Sequence, residues 1–347
     1  MRLLRHIRRA LRVPRPAFLL ALGLAPVMAG VARADDVASF YKGKTATVAV
    51  GFSVGGGFDI YARLVARHIG RHIPGAPTVI VSNMPGAASL KAVQSLQVAP
   101  KDGTQIVAFN PGLVSQSLLN PKKVPFRFTS VAYLGSVTAD IPVCYAWGTT
   151  GVKTWDDLMK AKNFNIGSTA PGTSSYIQGA VIKNLFHAPV KQITGYPGSD
   201  EQKLAMERGE LDGSCGSWDS IPPDWIAGHK FYPLVRFSKS APDYVKPLPP
   251  FIGDLADAEQ KKALTPILAI NDWYRPFIVA KEVPADRLKA LRAAFTATMK
   301  DPAFLAEAKK SGRNIDGPMT GEEVEQSVAE MYATPPDVVK KAAAAIK

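Results

Sequence analysis

The chain is 347 residues long, 46% hydrophobic and 20% charged, with a net charge of +13 and two cysteines. Seven of its 42 basic residues and none of its 29 acids precede Asp35, so beyond that point the excess falls to +6. The remaining basic residues are scattered without an aromatic-basic stripe, which excludes nucleic-acid binding and leaves a mild preference for anionic solutes.

The first segment reads as a leader. Arg2, Arg5, Arg8, Arg9, Arg12 and Arg15 precede an apolar run over residues 17–31, and Ala32-Arg33-Ala34 follows. A basic start, a short apolar stretch and small residues at −3 and −1 make a secretory signal, cleaved after Ala34. The run is short for a bilayer and Gly23, Pro26 and Gly30 interrupt it, against the other reading, an uncleaved anchor. Arg8-Arg9 is flanked poorly for a twin-arginine signal. No second stretch of membrane length follows, so the exported protein is expected to be soluble and periplasmic.

Residues 35–347 exceed the usual single core and predict two lobes. Residues 44–50 alternate and are β-branched, a strand, and a glycine loop follows. Ile60, Leu64, Ile69 and Ile73 then repeat at helical spacing, ended by Pro74-Gly75. A strand over 78–82, a helix over 90–96 and a strand over 105–109 continue an alternation that argues for a parallel α/β sheet. The pattern resumes at the strand 143–147: helix 154–160, strand 165–168, helix 175–186, strand 191–195, helix 200–208 and strand 210–214. Residues 221–250 are proline-rich and read as surface loop. Residues 273–280 read as a returning strand, and helices over 285–300, 301–311 and 321–332 pack back on the first lobe. The division expected is therefore 35–145 with 273–347 as one lobe and 146–272 as the other. Cys144 and Cys215 are free to bridge in an oxidising compartment, and sequence leaves a disulfide and two buried thiols equally open. The cysteines support no metal site; His68 and His72, four apart on the first helix, have a spacing that could ligate a metal, but with no intervening glutamate and an arginine beside each they read as a solvated basic helix face.

The loop Gly51-Phe52-Ser53-Val54-Gly55-Gly56-Gly57-Phe58-Asp59 carries the most chemistry. Consecutive glycines between a strand and a helix let backbone amides approach an anion, and the helix start adds unpaired N–H groups. Asp59 fits a cap better than a ligand. A dinucleotide fingerprint fails for want of its third glycine and of an acid ending the second strand. Gly51-Phe52-Ser53-Val54-Gly55 does satisfy the serine-elbow pattern, but no late histidine is placed to serve Ser53, so a serine hydrolase is the alternative reading. The loop over residues 167–175, rich in glycine and hydroxyls, repeats the same logic in the second lobe. Facing each other across a cleft, the two loops could clamp a ligand with carboxylates at both ends.

Read in order, these residues resemble the periplasmic solute-binding proteins of tripartite tricarboxylate transporters over nearly the whole exported chain. The resemblance rests on Gly55-Gly56-Gly57-Phe58-Asp59 with Ala62-Arg63, on Asn83-Met84-Pro85-Gly86-Ala87-Ala88 and on Ala99-Pro100-Lys101-Asp102-Gly103. It continues through a loosened Gly167-Ser168-Thr169-Ala170-Pro171-Gly172-Thr173, then Tyr196-Pro197-Gly198 and Gly209-Glu210-Leu211-Asp212. Ser53-Val54 stands where the family has prolines, Ser89 where it has glycine, and Pro197 where it has lysine. What the resemblance implies is a two-lobe flytrap of type II, each lobe a mainly parallel sheet flanked by helices, closing on a small carboxylate. The ligand-binding residues implied are Ser53, Gly55, Gly56, Phe58, Asp59 and Asn110 in the first lobe. Ser168, Thr169, Gly172, Thr173, Ser174, Tyr196 and Asp212 complete the set in the second. Trp218 reads as a packed tryptophan or a contact for an aromatic ligand. No cofactor or metal is implied; the partners implied are the carboxylate and the permease subunits of the transporter, with the receptor itself a monomer. A sensory receptor with the same fold is a third reading.

Overall fold

The computed structural model describes residues 36–239 and 241–347, so the leader expected over residues 1–34 lies outside the described residues. Two sheets organise the chain. The first contains β1 (Thr45–Val50), β2 (Thr78–Asn83), β3 (Gln105–Ala108), β4 (Val131–Ser136), a returning strand Pro276–Ala280 and the short Met319–Thr320. The second contains β5 (Pro142–Trp147), β6 (Phe164–Gly167), β7 (Val190–Ile193), β8 (Gly213–Ser217) and β9 (Phe231–Arg236). The two late strands of the first sheet are β10 and β11.

Each sheet is mixed. β1 pairs in parallel with β2 and β3, and β6 with β7 and β8, as strand–helix–strand crossovers require. β10 runs antiparallel between β3 and β4, and β5 antiparallel between β8 and β9. β5 and β10 are the strands that enter a sheet from the other lobe; the short β11 also pairs antiparallel with β4.

Alternation places the cores. Val48, Val50, Ile106 and Ala108 face one side of the first sheet, where they meet α1 (Gly57–Ile69), while Ala49, Val107 and Phe109 face the other, where α2 (Leu90–Val98) and α3 (Gly112–Leu119) lie. With helices on both faces, the central strands β3, β4 and β10 are buried almost throughout, which explains apolar runs in place of strict alternation. In the second sheet Cys144 and Ala146 face one core and Val143 and Tyr145 the other. The remaining second-lobe helices are α4 (Trp155–Lys160), α5 (Ser174–Asn184), α6 (Ser199–Glu207), α7 (Pro223–Ala227) and α8 (Ala258–Leu268). The chain ends with α9 (Ala285–Lys300), α10 (Pro302–Lys310), α11 (Gly321–Tyr332) and α12 (Pro336–Ala345).

Several placements differ from the sequence reading. β5 pairs in the second sheet, so the first crossing falls at residues 137–141 rather than after residue 145. The last helix belongs to the second core: Ala342, Ala345 and Ile346 pack with Ile182, Leu264 and Ile267. The proline-rich stretch 221–250 is not all loop, since it holds α7 and β9. β9 tolerates Pro233 because it is an edge strand, and the register shifts opposite Tyr145. His68 and His72 do not face solvent freely: each hydrogen-bonds an acid beside or on α10, His68 to Glu307 (2.6 Å) and His72 to Asp301 (2.8 Å). Cys144 and Cys215 stand opposite one another on β5 and β8, with Cα atoms 4.0 Å apart, and form a disulfide.

Candidate functional site

The lobes meet along the carboxyl ends of β1, β3, β6 and β8. Between them lies a cleft enclosing about 620 Å³, solvent at its mouth included. Gly56, Gly57, Phe58, Asn110, Tyr274 and Arg275 line it from the first lobe, and Thr169, Gln202, Lys203, Ser217 and Ser220 from the second. A second cavity shares Phe52 and Thr169 with it and is bounded by Pro85, Gly86, Ala87, Ser89, Tyr196 and Pro197.

The lobes are closed on each other. Ser53 Oγ donates to Glu201 Oε2 (3.5 Å), Ser174 Oγ to Asn110 Oδ1 (2.6 Å) and Tyr61 Oη to Asp219 Oδ2 (3.1 Å). Glycines permit the approach: a Cβ built on Gly55, whose φ is +92°, would stand 2.6 Å from Asp200 Oδ2, and one on Gly57 would collide with Ser220 Oγ.

Arg275 dominates the cleft's electrostatics. It is 2% exposed, on the second crossing at residues 271–275, held where its backbone N–H donates to Ser136 Oγ (3.1 Å). Its guanidinium stacks on Phe58 at 4.3 Å and on Tyr274 at 4.9 Å, and Nη2 donates to Ser220 Oγ at 3.1 Å. Nε has no partner, and none of its hydrogen bonds among the described residues goes to a carboxylate. A buried guanidinium with an unused N–H can take a carboxylate or another anion. The other cleft cation, Lys203, is already bound to Asp200 Oδ1 at 2.8 Å, and burial lowers its pKa.

Two buried acids stand behind the cleft wall. Burial pushes the Asp140 carboxyl up to about 7, opposed by the Arg275 charge and by the hydroxyl of Ser217 that donates to it; Asp140 Oδ2 has no partner. Asp219 is also raised by burial, while hydrogen bonds from Asn314 and Tyr61 pull the other way.

The residues singled out by sequence divide by place. Gly56, Phe58, Asn110 and Thr169 line the main cleft, and Thr169 and Tyr196 the second cavity. Ser53, Gly55 and Ser174 make the contacts between lobes given above, and Gly172, at φ +95°, abuts Gln116 of α3. Four build the loops rather than face the cleft. Asp59 accepts from Gly55 N–H (3.0 Å), Arg63 Nε (2.9 Å) and Asn83 Nδ2 (2.7 Å), so the carboxylate braces the loop from within. Thr173 caps α5, accepting from Tyr176 N–H at 3.3 Å, Ser168 accepts from Gln192 Nε2 at 3.3 Å, and Asp212 accepts from Asn165 N–H at 2.7 Å. Trp218 is buried in the second-lobe core beside Phe231. Ser53 finds a glutamate rather than a histidine, so the elbow pattern assembles no triad among the described residues. Sequence reasoning missed Arg275 and Lys203. The signal for Arg275 was an arginine set between aromatics and an apolar strand, Trp273-Tyr274-Arg275-Pro276.

No protein-family model matches this chain, and no curated protein sequence does. Solved structures do. A structure described as that of a periplasmic transporter is 23% identical, with a TM-score of 0.68, covering 86% of this chain and 97% of its own. MatC (Rpa3494) from Rhodopseudomonas palustris with bound malate is 18% identical, with a TM-score of 0.71 over 85% of this chain and 99% of its own. The periplasmic binding protein BugD is 18% identical, with a TM-score of 0.68 over 86% and 97%. The chain has the two-lobe α/β fold of the periplasmic solute-binding proteins.

Proposed function

We propose that this chain is an exported receptor that closes its two lobes on a small organic carboxylate and delivers it to the permease subunits of a membrane transporter. The observation that carries the reading is Arg275, a guanidinium buried at the lobe junction whose Nε has no hydrogen-bond partner and which hydrogen-bonds no carboxylate among the described residues. A ligand carboxylate supplies the missing partner, in the planar two-point geometry that guanidinium favours. Gly56, Asn110 and Thr169 stand around it with neutral polar atoms, and Gln202 and Ser217 complete the ring from the second lobe. Closure would follow because these groups belong to different lobes, so the ligand gains all of its contacts only when the lobes meet. The basic and apolar leader supports export, with cleavage after Ala34, and the bound malate of MatC supports an acid as cargo. Ligand-stripped protein is expected to gain thermal stability with at least one organic acid, and Arg275→Gln to abolish the gain. A broad set of organic acids without effect in calorimetry or melting would overturn the reading.

A further inference from the structure

We infer that the ligand carries a single carboxylate on an aromatic body, and is not an aliphatic di- or tricarboxylate; this rests on the carboxylate reading of the same cleft. Three observations converge on it. The first is a count of charges. Arg275 and Lys203 are the cationic side chains of the cleft, and Asp200 already holds Lys203 at 2.8 Å. One cation is therefore left for the ligand. Asp140 and Asp219 lie close enough behind the wall to feel Arg275, which adds negative potential rather than a second anchor. Within the glycine loop the Asp59 carboxylate already takes the Gly55 amide, and the amides at the start of α1 are neutral donors rather than a second cation. A second ionised carboxylate would be desolvated without a matching charge.

The second observation is the wall itself. Phe52 stacks on Phe58 with ring centroids 5.0 Å apart and planes inclined by 22°, and Phe58 continues to Tyr274 at 5.9 Å. Arg275 lies over Phe58 at the end of this run. A flat body laid along the wall would put its carboxylate on the guanidinium and its ring against phenylalanine, an arrangement that aromatic pairs favour. The third is the adjoining cavity. It opens past Phe52 and Thr169, and none of its lining side chains is charged. Thr169 Oγ1, buried at the junction with no partner, offers a neutral hydrogen bond to a hydroxyl or carbonyl on the ligand.

The test is calorimetry on the exported chain, stripped of carried ligand, with two sets of probes: benzoate, phenylacetate and 3-phenylpropanoate against succinate, malate, adipate and citrate. The tightest arylcarboxylate is expected to bind at least tenfold more strongly than any of the aliphatic acids, and its primary amide to lose at least tenfold. Phe58→Leu is expected to weaken the arylcarboxylates by a factor at least fivefold larger than the factor by which it weakens the aliphatic acids. A di- or tricarboxylate that binds as tightly as the best arylcarboxylate overturns the inference and leaves the receptor reading standing. Aliphatic acids bound and arylcarboxylates ignored would do the same. Silence from every probe sinks this inference, and silence extended to a broad acid set sinks the receptor reading with it.

Discussion

Gly57 and Asp140 show how single positions hold the lobe junction. Gly57 opens α1 directly beneath Ser220 and Arg275, and its place is set by the space that a side chain would fill. Gly57→Ala suits a helix start, so the first lobe should fold as before; the added methyl pushes on Ser220 Oγ and stands 3.0 Å from Arg275 Nη2. Ligand affinity is expected to fall at least tenfold with the melting temperature of the free protein nearly unchanged, read by calorimetry on the variant. Asp140 has the opposite character. Its ordinary pKa of 3.8 rises to about 7 on folding because burial disfavours the charge, so the folded protein binds a proton that the unfolded chain releases. That stability is fully present below pH 3.8 and is lost as pH climbs through about 7. Asp140→Asn, which imitates the protonated acid, is expected to be more stable than the parent at pH 8, and to flatten the fall between about pH 4 and 7 in denaturant titrations. Neither role could be read from sequence. The glycine loop was visible as an anion-friendly turn, yet its three glycines face Asp200, Ser199 and Ser220 of the other lobe, contacts that local sequence does not show. Arg275 was hidden in the same way, because its unused Nε is a property of the closed pair of lobes.

At the scale of elements, local pattern served well where it was strong. β1, α9 and α11 keep close to their expected limits, and Thr320 and Glu323 form a capping box at the start of α11; α1 ends at Ile69 rather than Ile73, with a 3-10 turn over Gly70–His72. β9 was missed because prolines usually interrupt a strand, and an edge position removes that objection. α8 carries Pro266 within its last turn, a residue that breaks most helical patterns, and its Asp257 and Gln260 cap supplies the signal that composition obscured. The crossing strands were harder still, since only pairing shows that β5 leaves the first sheet. The disulfide fastens that choice. It ties β5 to β8 across a separation of 71 residues, and Cys215 lines the cleft. Chain-entropy arguments assign such a loop about 4 kcal/mol. Reduction, or Cys144→Ala with Cys215→Ala, is expected to lower stability by roughly 2–4 kcal/mol, and the variant's ligand affinity should fall as the second-lobe wall loosens. Denaturant melts with and without reductant check the first, and calorimetry the second.

For the whole molecule, the chain crosses between lobes at residues 137–141 and 271–275, and again between α11 in the first core and α12 in the second. The first two crossings run side by side, with Tyr274 N–H donating to Thr138 O (3.2 Å) and Val137 N–H to Arg275 O (3.1 Å). Paired crossings of this kind flex as a hinge while each sheet stays rigid. Closure can be caught covalently. A Cβ on Gly198, whose backbone is extended, would lie 3.7 Å from Ser53 Cβ, within the span that a disulfide bridges. Ser53→Cys with Gly198→Cys is expected to oxidise when the lobes close and to slow ligand release at least tenfold. Failure of the pair to bridge, with or without ligand, would contradict this closed arrangement.

The third crossing has a practical result for measurement. Residues 36–41 pack into the first core through Val37 and Tyr41, whereas the last helix is held by the second, with Asn184 Nδ2 donating to Ala345 O (3.2 Å). Residues 36–41 and the last helix thus ride on opposite lobes. Fluorophores attached beside them would report lobe separation directly and, on the proposed receptor reading, would make an energy-transfer sensor for the ligand.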